Sequence, residues 1–518
     1  MISYDHLTFR RQSIFNARFA PDGKAVVYSA STSGNDVALN LLRPDSPQPQ
    51  SIAPAGTHLL AISAQGEMAV LVGATYLYHR VFTGTLARLP LGGGAPRALK
   101  TDVREADWSP DGQSLAIIVQ VDGVSRLEYP VGKVRHESHG YLSDPRVSAD
   151  GKRVAFVDHP VAGDDRGRVG VIDTAVAAAT MLTAEQSSVQ GALWTLEGNE
   201  VMYSAGADAS HRRVHAVSLA GAVRDVLVAP GGLVLLDRAP DGAALISRDD
   251  EPFRLVVHGP EAPADSEVAW HEFPNDPVFS RDGTRLAFAD QSFSGGPSYS
   301  VMIRQPDGSL ERLGDGAPVA FSPDDKWLLV SVVNDSTAYR LEPVGAGTER
   351  PIDLRGLKGA VATGWYQDGQ AVLLCGEHSA GAHQCFRAPI DGSALVPVTP
   401  STPLAVAGLL SPDGSQVLLA GRRYRGPTDT GHVVPGLATQ APVRWSVDGG
   451  ALFVRDGPFR VQRLDLVTGT MTPLFDATPP NGSTSISLAS VAVADDPRRY
   501  AYVVGEHTSK LFVAHGVR

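Results

Sequence analysis

The sequence predicts an all-β repeat protein, and the prediction begins from one recurring turn. Its clearest copy is Trp108-Ser109-Pro110-Asp111-Gly112, followed directly by the apolar stretch 114–119. Proline presets φ at the first corner, aspartate hydrogen-bonds the backbone ahead of it, and glycine supplies the positive φ that ends the turn. Each copy therefore predicts a β-hairpin.

The turn recurs with a regular period along the whole chain. The residue in the glycine place stands at 23, 66, 112, 151, 198, 242, 283, 325, 369, 414, 449 and 496, so the steps run from 35 to 47 residues. A four-stranded propeller blade repeats every ~40 to 45 residues. We expect a β-propeller with about twelve four-stranded blades, arranged as two six-bladed rings or, alternatively, as one continuous large ring.

Composition agrees with this prediction and limits the partners. The chain has 518 residues, more than the ~250 to 300 that one core usually serves. Its 53 glycines and 37 prolines suit many short strands, and its formal net charge of −11 argues against a nucleic-acid partner. No run of ~18 apolar residues and no charged-then-apolar leader occurs, which predicts no membrane span, no export signal and a cytoplasmic location if the chain is complete.

The two ends of the chain are expected to share a blade. Residues 7–9 precede the first turn, and the stretches 491–494, 500–504 and 511–514 follow the last one, so residues 1–12 should pair with the C-terminal blade and remove an exposed sheet edge. The most linker-like stretch is 259–265. It predicts a first propeller half of residues 1–258 and a second half of residues 259–518.

One candidate site combines two predicted loops of the fourth repeat. In a blade whose first strand is innermost, the loop entering the blade and the loop after its second strand emerge on the same face. His136 and His139 lie in the first loop; Asp158, His159, Asp164 and Asp165 lie in the second. Imidazoles and carboxylates could hold a divalent metal, Ca²⁺ or a transition metal, or act as acid and base. The alternative is a set of solvated loop residues.

Three further features are weaker candidates. Lys133 and Tyr299 are expected on the same loop face, where Tyr299 either contacts a ligand or packs between blades. Cys375 and Cys385 flank a short loop and form either a cross-strand disulfide or two buried thiols. The tryptophans that precede the turns, at 108, 365 and 445, should pack between neighbouring blades.

The repeats resemble those of TolB-type propellers and, more distantly, the propeller of prolyl-oligopeptidase-family proteins. Nearly the whole chain is similar to the propeller region that follows the kinase domain in bacterial serine/threonine kinases, through Leu127-Glu128-Tyr129-Pro130-Val131-Gly132-Lys133, Asp158-His159-Pro160 and 295–300. This resemblance implies a sensor or interaction domain, which would be extracytoplasmic if excised from such a kinase. The chain has no kinase motifs and no Gly-x-Ser-x-Gly elbow.

The function expected from the sequence is therefore that of a non-catalytic scaffold. A rigid, acidic propeller suits a protein, peptide, glycan or small-molecule ligand. The alternative is a metal-assisted lyase or hydrolase whose site lies on the loop face. No cofactor is predicted apart from that divalent metal.

Overall fold

A computed structural model describes residues 2–176, 178–261, 264–268, 273–333, 338–379, 381–403, 407–437, 440–479 and 483–517. The described residues contain 47 strands and two short 3₁₀ helices, Ala209–His211 and Phe293–Gly295. No described helix has the length and the apolar composition needed to cross a membrane. The all-β prediction is confirmed.

The first half of the strands are β1 Ser3–His6, β2 Ser13–Phe19, β3 Val26–Ser31, β4 Ala38–Arg43, β5 Ser46–Ser51, β6 Thr57–Ile62, β7 Glu67–Tyr78, β8 Val81–Pro90, β9 Arg97–Trp108, β10 Leu115–Val121, β11 Val124–Glu128, β12 Val134–Ser138, β13 Tyr141–Val147, β14 Arg153–His159, β15 Arg168–Asp173, β16 Ala179–Met181, β17 Ser188–Trp194, β18 Glu200–Gly206, β19 Arg213–Ser218, β20 Val223–Leu227, β21 Gly232–Arg238, β22 Ala244–Asp250 and β23 Phe253–His258.

The remaining strands are β24 Ser266–Glu267, β25 Pro274–Phe279, β26 Leu286–Asp290, β27 Ser300–Arg304, β28 Leu310–Asp315, β29 Ala317–Phe321, β30 Trp327–Ser331, β31 Tyr339–Pro343, β32 Arg350–Pro351, β33 Lys358–Trp365, β34 Ala371–Ser379, β35 Ala382–Pro389, β36 Val396–Pro397, β37 Leu409–Leu410, β38 Val417–Leu419, β39 Arg422–Tyr424, β40 His432–Val433, β41 Ala441–Trp445, β42 Ala451–Asp456, β43 Arg460–Asp465, β44 Met471–Asp476, β45 Ser485–Val493, β46 Tyr500–Glu506 and β47 Thr508–His515.

These strands form antiparallel sheets of the β-propeller type. Eight sheets use four strands in chain order: β2–β5, β13–β16, β17–β20, β25–β28, β29–β32, β33–β36, β37–β40 and β41–β44. One seven-stranded sheet runs from β6 to β12, with the long strand β9 at its centre. The last two sheets, β21-β22-β47-β1 and β45-β46-β23-β24, take strands from distant parts of the chain.

The chain divides into two compact units. The first unit comprises Met1–Glu251, Asn481–Ile486 and Glu506–Arg518; the second comprises Pro252–Pro480 and Ser487–Gly505. Residues 253–258, which the sequence-based division places in the first half, pair as β23 with β46 in the second unit. β23 ends eight residues after the end of β22, yet its hydrogen bonds join it to a different sheet.

The chain ends meet in one sheet, but with different strands from those expected. β1 pairs with β47, placing Ser3 opposite His515 and His6 opposite Phe512. The sequence analysis assigned residues 7–9 and all three C-terminal strands to that sheet, and this detail is corrected: β45 and β46 belong to the second unit. Strands of equal length and similar composition do not by themselves reveal which sheet they join.

The repeated turn folds as its residues predict. In the copy 148–153, Ser148 Oγ donates to Asp150 Oδ1 at 2.6 Å and accepts from the Arg153 N–H at 2.9 Å. Gly151 has φ +70° and donates to the Ser148 carbonyl at 2.8 Å. The hydroxyl hydrogen bond lowers the pKa of Asp150 below its usual value. The turn therefore closes on its own side chains.

Adjacent sheets are joined by apolar cores and by indole donors. One core between β13–β16 and β17–β20 contains Val157, Val189, Val201 and Tyr203. In the second unit Trp365 and Trp445 donate from Nε1 to carbonyl oxygens of the preceding sheet, at 3.1 and 3.2 Å. Trp108 is buried beneath the Arg88 guanidinium, 4.9 Å from the ring centroid.

Candidate functional site

Six strands of the first unit lie side by side: β2, β6, β9, β13, β17 and β21, with β21 next to β2, and β6 and β9 belong to the same seven-stranded sheet. Each has a shift of register where it pairs with its second strand, for example between Leu59 and Ala61 and between Gln190 and Ala192. A bulge of this kind bends the strand and re-aims its side chains. Polar residues near the bulges consequently face one another.

A cavity of about 30 Å³ lies among these strands. Its polar lining is supplied by Asn16, His58, His79, Arg80, Glu105, Tyr141, Ser143, Asp144, His159 and Gln190. The apolar lining is Phe15, Val81, Val234 and Leu236. A site so rich in titratable groups differs from the apolar cores between the sheets, and we call it the first-unit cavity.

His159 is the member of this lining whose contacts are most completely defined. Its Nδ1 lies 2.9 Å from the Arg166 carbonyl oxygen, so Nδ1 carries the proton and Nε2 accepts from Ser143 Oγ at 2.9 Å. The ring stacks on Tyr141, with centroids 4.0 Å apart. Burial lowers the pKa of His159 to about 4, so the imidazole is neutral at physiological pH.

Glu105 is a carboxyl group in an unusual setting. Burial and then the neighbouring Asp144 carboxylate raise the pKa of Glu105 to about 8, although Arg146, Arg18 and Arg80 oppose the shift. Within the described residues, no protein donor hydrogen-bonds the Glu105 carboxyl. The group is thus protonated at neutral pH and available to a ligand.

Three other buried polar atoms of the lining have no hydrogen-bond partner among the described residues. They are Nε of Arg80, Nδ1 of His58 and Oε1 of Gln190, and the His58 and Gln190 residues are 3% and 5% exposed. Burial lowers the pKa of His58 to about 3, so this ring is neutral as well. Unpaired polar atoms at such depth cost about 1–3 kcal/mol each, which favours a ligand or water that satisfies them.

A second group of charged residues, the buried charge cluster, consists of Arg80, Arg212, Asp249, Glu251 and His507. Arg80 pairs with Asp249, and Arg212 pairs with Glu251. Burial acts to raise the pKa of Asp249, but Arg80 and His507 outweigh it and hold that pKa below its usual range. Arg212 also contacts Asp165 at 3.4 Å.

This cluster includes a potential metal-binding group. One ligand atom from each of Asp249, Glu251 and His507 lies within 4.8 Å of the others, and no other such group of His, Cys, Asp and Glu occurs in the described ranges. The guanidiniums of Arg80 and Arg212, however, already form ion pairs with these carboxylates. A divalent cation would have to displace them or bind beside like charge.

The residues predicted as a site have separate environments. His136 packs against Phe156 with centroids 5.1 Å apart, while His139 is exposed. Asp158 is buried and binds Arg168 at 2.8 Å and Ser138 at 2.8 Å. These groups do not converge on one point.

Asp164 and Asp165 lie in the loop after His159 and do not line the first-unit cavity. Asp164 Oδ1 accepts from the Arg166 N–H at 2.9 Å, and Asp165 accepts from Ser188 Oγ. The Gly163 carbonyl oxygen of the same loop lies 3.0 Å from Nε2 of His79, which lines the cavity. Of the residues predicted as a site, His159 is the one that lines it.

The remaining predicted residues lie elsewhere. Lys133 is exposed in the turn between β11 and β12, and Tyr299 is buried with φ +57°. Cys375 and Cys385 are opposite one another on β34 and β35 and form a disulfide. None of these four lines the first-unit cavity.

The second unit contains a larger pocket of about 370 Å³ at the turn ends of its first strands. Its walls are largely apolar, including Val278, Val319, Leu409 and Val443. Arg444 lines it but is engaged by Asp495 at 2.8 Å and by the Val493 carbonyl. No described residue of this lining has a buried unpaired side-chain atom, so it is a weaker candidate site.

No protein-family model matches the sequence, and no curated protein matches it. Solved structures do resemble it. The GH74 enzyme of Niastella koreensis is 12% identical with a TM-score of 0.36, over 96% of this chain and 90% of that one. TolB from Acinetobacter baumannii is 12% identical with a TM-score of 0.26, over 69% and 65%.

An oligogalacturonate lyase from Vibrio parahaemolyticus is 14% identical with a TM-score of 0.32, over 60% of this chain and 98% of that one. Similarities at this level assign neither a function nor site residues. The β-propeller architecture rests on the sheets of this chain itself.

Proposed function

We propose that this protein is a non-catalytic β-propeller binding protein and that the first-unit cavity receives a small polar ligand. The observation that carries the proposal is the pair of buried, unpartnered atoms, His58 Nδ1 and Gln190 Oε1, in one lining with the unbonded carboxyl of Glu105. Binding sites are concave and combine apolar walls with a few convergent polar groups. A ligand would supply the missing hydrogen bonds.

Gln190→Met tests the proposal. Methionine has a similar length but removes the unpaired oxygen, so the unliganded protein should be as stable as the wild type or more stable. Thermal melts against a panel of small cationic, neutral and anionic molecules should show a ligand that stabilises the wild type and not the variant.

Gln120→Met is the matched control, because Gln120 Oε1 is also buried and unpartnered but Gln120 lies outside the cavity lining. The control should respond to the ligand as the wild type does. The proposal fails if no molecule in the panel stabilises the wild type, or if Gln190→Met leaves the stabilisation unchanged.

The second candidate is a metal-assisted lyase or hydrolase, and the grouping of Asp249, Glu251 and His507 is the observation in its favour. We rank it lower because Arg80 and Arg212 neutralise the carboxylates. Elemental analysis of the purified protein, with melts in the presence and absence of a chelator, tests it. A stoichiometric metal and a chelator-sensitive melt would favour this candidate.

We further propose that each unit is a closed six-bladed ring, which gives twelve blades. In the first unit, the contact between β21 and β2 supports closure. In the second, Arg444 donates to the Val493 carbonyl, and Ser490 donates to Asn275 at 2.6 Å, which supports closure through β45. In this arrangement the seven-stranded sheet is two blades joined through β9.

A signalling role is part of the same proposal and is supported only by the resemblance to propeller regions of bacterial serine/threonine kinases. Immunoblotting of native cells tests it. A band far above the size of 518 residues would support a kinase-bearing chain, and a band at that size would support a free-standing protein.

A further inference from the structure

Three polar groups of the first-unit cavity can accept hydrogen bonds from a ligand, whereas the Arg80 Nε–H is an open donor. Gln190 Oε1 lacks a donor, and the Glu105 carboxyl has no protein donor. The neighbouring Asp144 carboxylate accepts from the Gly191 N–H at 2.9 Å and has lone pairs remaining. A ligand matching this set must donate hydrogen bonds.

Carboxyl groups outnumber the cations near the cavity. Glu105, Asp107 and Asp237 interact with the guanidiniums of Arg18 and Arg146, and Asp144 is a fourth carboxyl group, beside Glu105. Asp107 and Asp237 are held by backbone N–H groups, of Val147 at 2.8 Å and Phe19 at 2.7 Å. Arg80, the third nearby cation, is paired with Asp249.

We propose that the first-unit cavity binds the ammonium group of a small protonated amine, with Glu105 as its counter-ion and Gln190 as a hydrogen-bond acceptor. This inference rests on the proposed function and names the chemical class of its ligand. An ammonium group is positively charged and donates without accepting, so it balances the charge that Glu105 carries once ionised and satisfies the open acceptors.

The alternatives fit less well. A metal ion needs several ligand atoms around one point, but no three ligand atoms of the His, Cys, Asp and Glu residues lining this cavity lie within 4.8 Å of one another. An anion would face Glu105 and Asp144. A cavity of about 30 Å³ exceeds the ~10–15 Å³ that one water requires, so it accommodates a group of water or ammonium size.

Binding should release one proton. Glu105 has a pKa of about 8, so it is largely protonated at neutral pH and must ionise to become the counter-ion. Affinity should therefore rise about tenfold per pH unit below 8 and level off above it. The charged and titratable groups that face Glu105 are Asp144, Arg146, Arg18, Arg80, His58, His79 and His159.

Isothermal titration calorimetry with methylammonium chloride between pH 6.5 and 8.5 tests the inference. We expect saturable binding with the stated pH dependence, and an apparent heat that varies with the ionisation heat of the buffer. Glu105→Gln keeps the shape of the side chain and should fold normally, because Glu105 is already neutral at pH 7. It should bind methylammonium at least about tenfold more weakly at pH 8.5.

The matched control is Glu137→Gln, at a surface pair with Arg126, which should bind as the wild type does. Potassium and tetramethylammonium test charge without N–H donation and should not bind. Equal binding of either cation, or unchanged binding to Glu105→Gln, would overturn the inference. If a neutral or anionic molecule from the panel binds and Gln190→Met abolishes it, the proposed function stands and the ammonium assignment falls.

Discussion

Acid should destabilise the first unit through His159. The unfolded imidazole titrates near its ordinary value of 6.5, whereas the folded protein keeps the ring neutral until about pH 4. As the pH falls through 6.5, the unfolded state therefore binds a proton that the folded state does not, and stability decreases until about pH 4. Between pH 6.5, where the unfolded ring is half protonated, and pH 4.5, the loss integrates to about 2 kcal/mol.

His159→Asn isolates this contribution. The asparagine amide can still donate to the Arg166 carbonyl but cannot titrate, while the stacking on Tyr141 and the hydrogen bond with Ser143 are lost. The variant should be less stable at pH 7. Its deficit relative to the wild type should shrink by about 2 kcal/mol when the pH falls from 6.5 to 4.5.

Urea denaturation across this pH range, followed by intrinsic fluorescence, measures the difference. His139→Asn is the control, because His139 is exposed and should leave the pH profile of the wild type unchanged. A constant difference in free energy of unfolding between His159→Asn and the wild type, from pH 6.5 to 4.5, would show that His159 is not held neutral by burial.

Three other perturbations test the architecture. Ser148→Ala should lower the free energy of unfolding by about 1–3 kcal/mol, because the Arg153 N–H loses its acceptor; an effect below a few tenths in urea denaturation would contradict this. Trp365→Phe should cost about 0.5–1.5 kcal/mol through the lost Nε1 hydrogen bond to Ala320, in addition to any packing loss, with Trp327→Phe as comparison. Deleting residues 1–6 should expose the edge of β47 and lower the melting temperature, and a truncated chain with an unchanged melt would refute closure through β1.

The turns could be predicted from sequence because their chemistry is local. The serine, aspartate and glycine of one turn bond each other within six residues, so no distant part of the chain is needed to fold it. Asp325 stands where the other copies have glycine and still adopts a positive φ, of +56°. Local chemistry thus fixed the position and number of the hairpins.

The pairing of distant strands could not be predicted in the same way. β22 is bounded on one side by its hairpin partner β21 and on the other by β47, which lies more than 250 residues further along the chain. The hydrophobic pattern of a strand identifies its buried faces but not its neighbour. The sequence analysis consequently placed β45, β46 and β47 together, although they divide between two sheets.

The cavity residues other than His159 were missed for a related reason. His58, Ser143 and Gln190 each stand five residues before the first residue of a turn, and Glu105 stands four before. A polar residue at that position of an innermost strand could have been used to predict a cavity-lining side chain. Its orientation, however, depends on the bulge, and bulges are a property of strand pairing rather than of composition.

The two buried polar groupings in the first unit differ in what they leave unsatisfied, and this difference indicates their roles. In the buried charge cluster, each carboxylate faces a guanidinium, so removing one partner would strand a charge. The atoms without a hydrogen-bond partner there are all nitrogens of basic side chains, in Arg80, Arg212 and His507. In the first-unit cavity, an amide oxygen, an imidazole nitrogen and a carboxyl group have no protein partner. Arg80 belongs to both, because it lines the cavity and holds Asp249. The cluster therefore fixes the wall of the cavity, and the cavity is where a ligand would lower the free energy most.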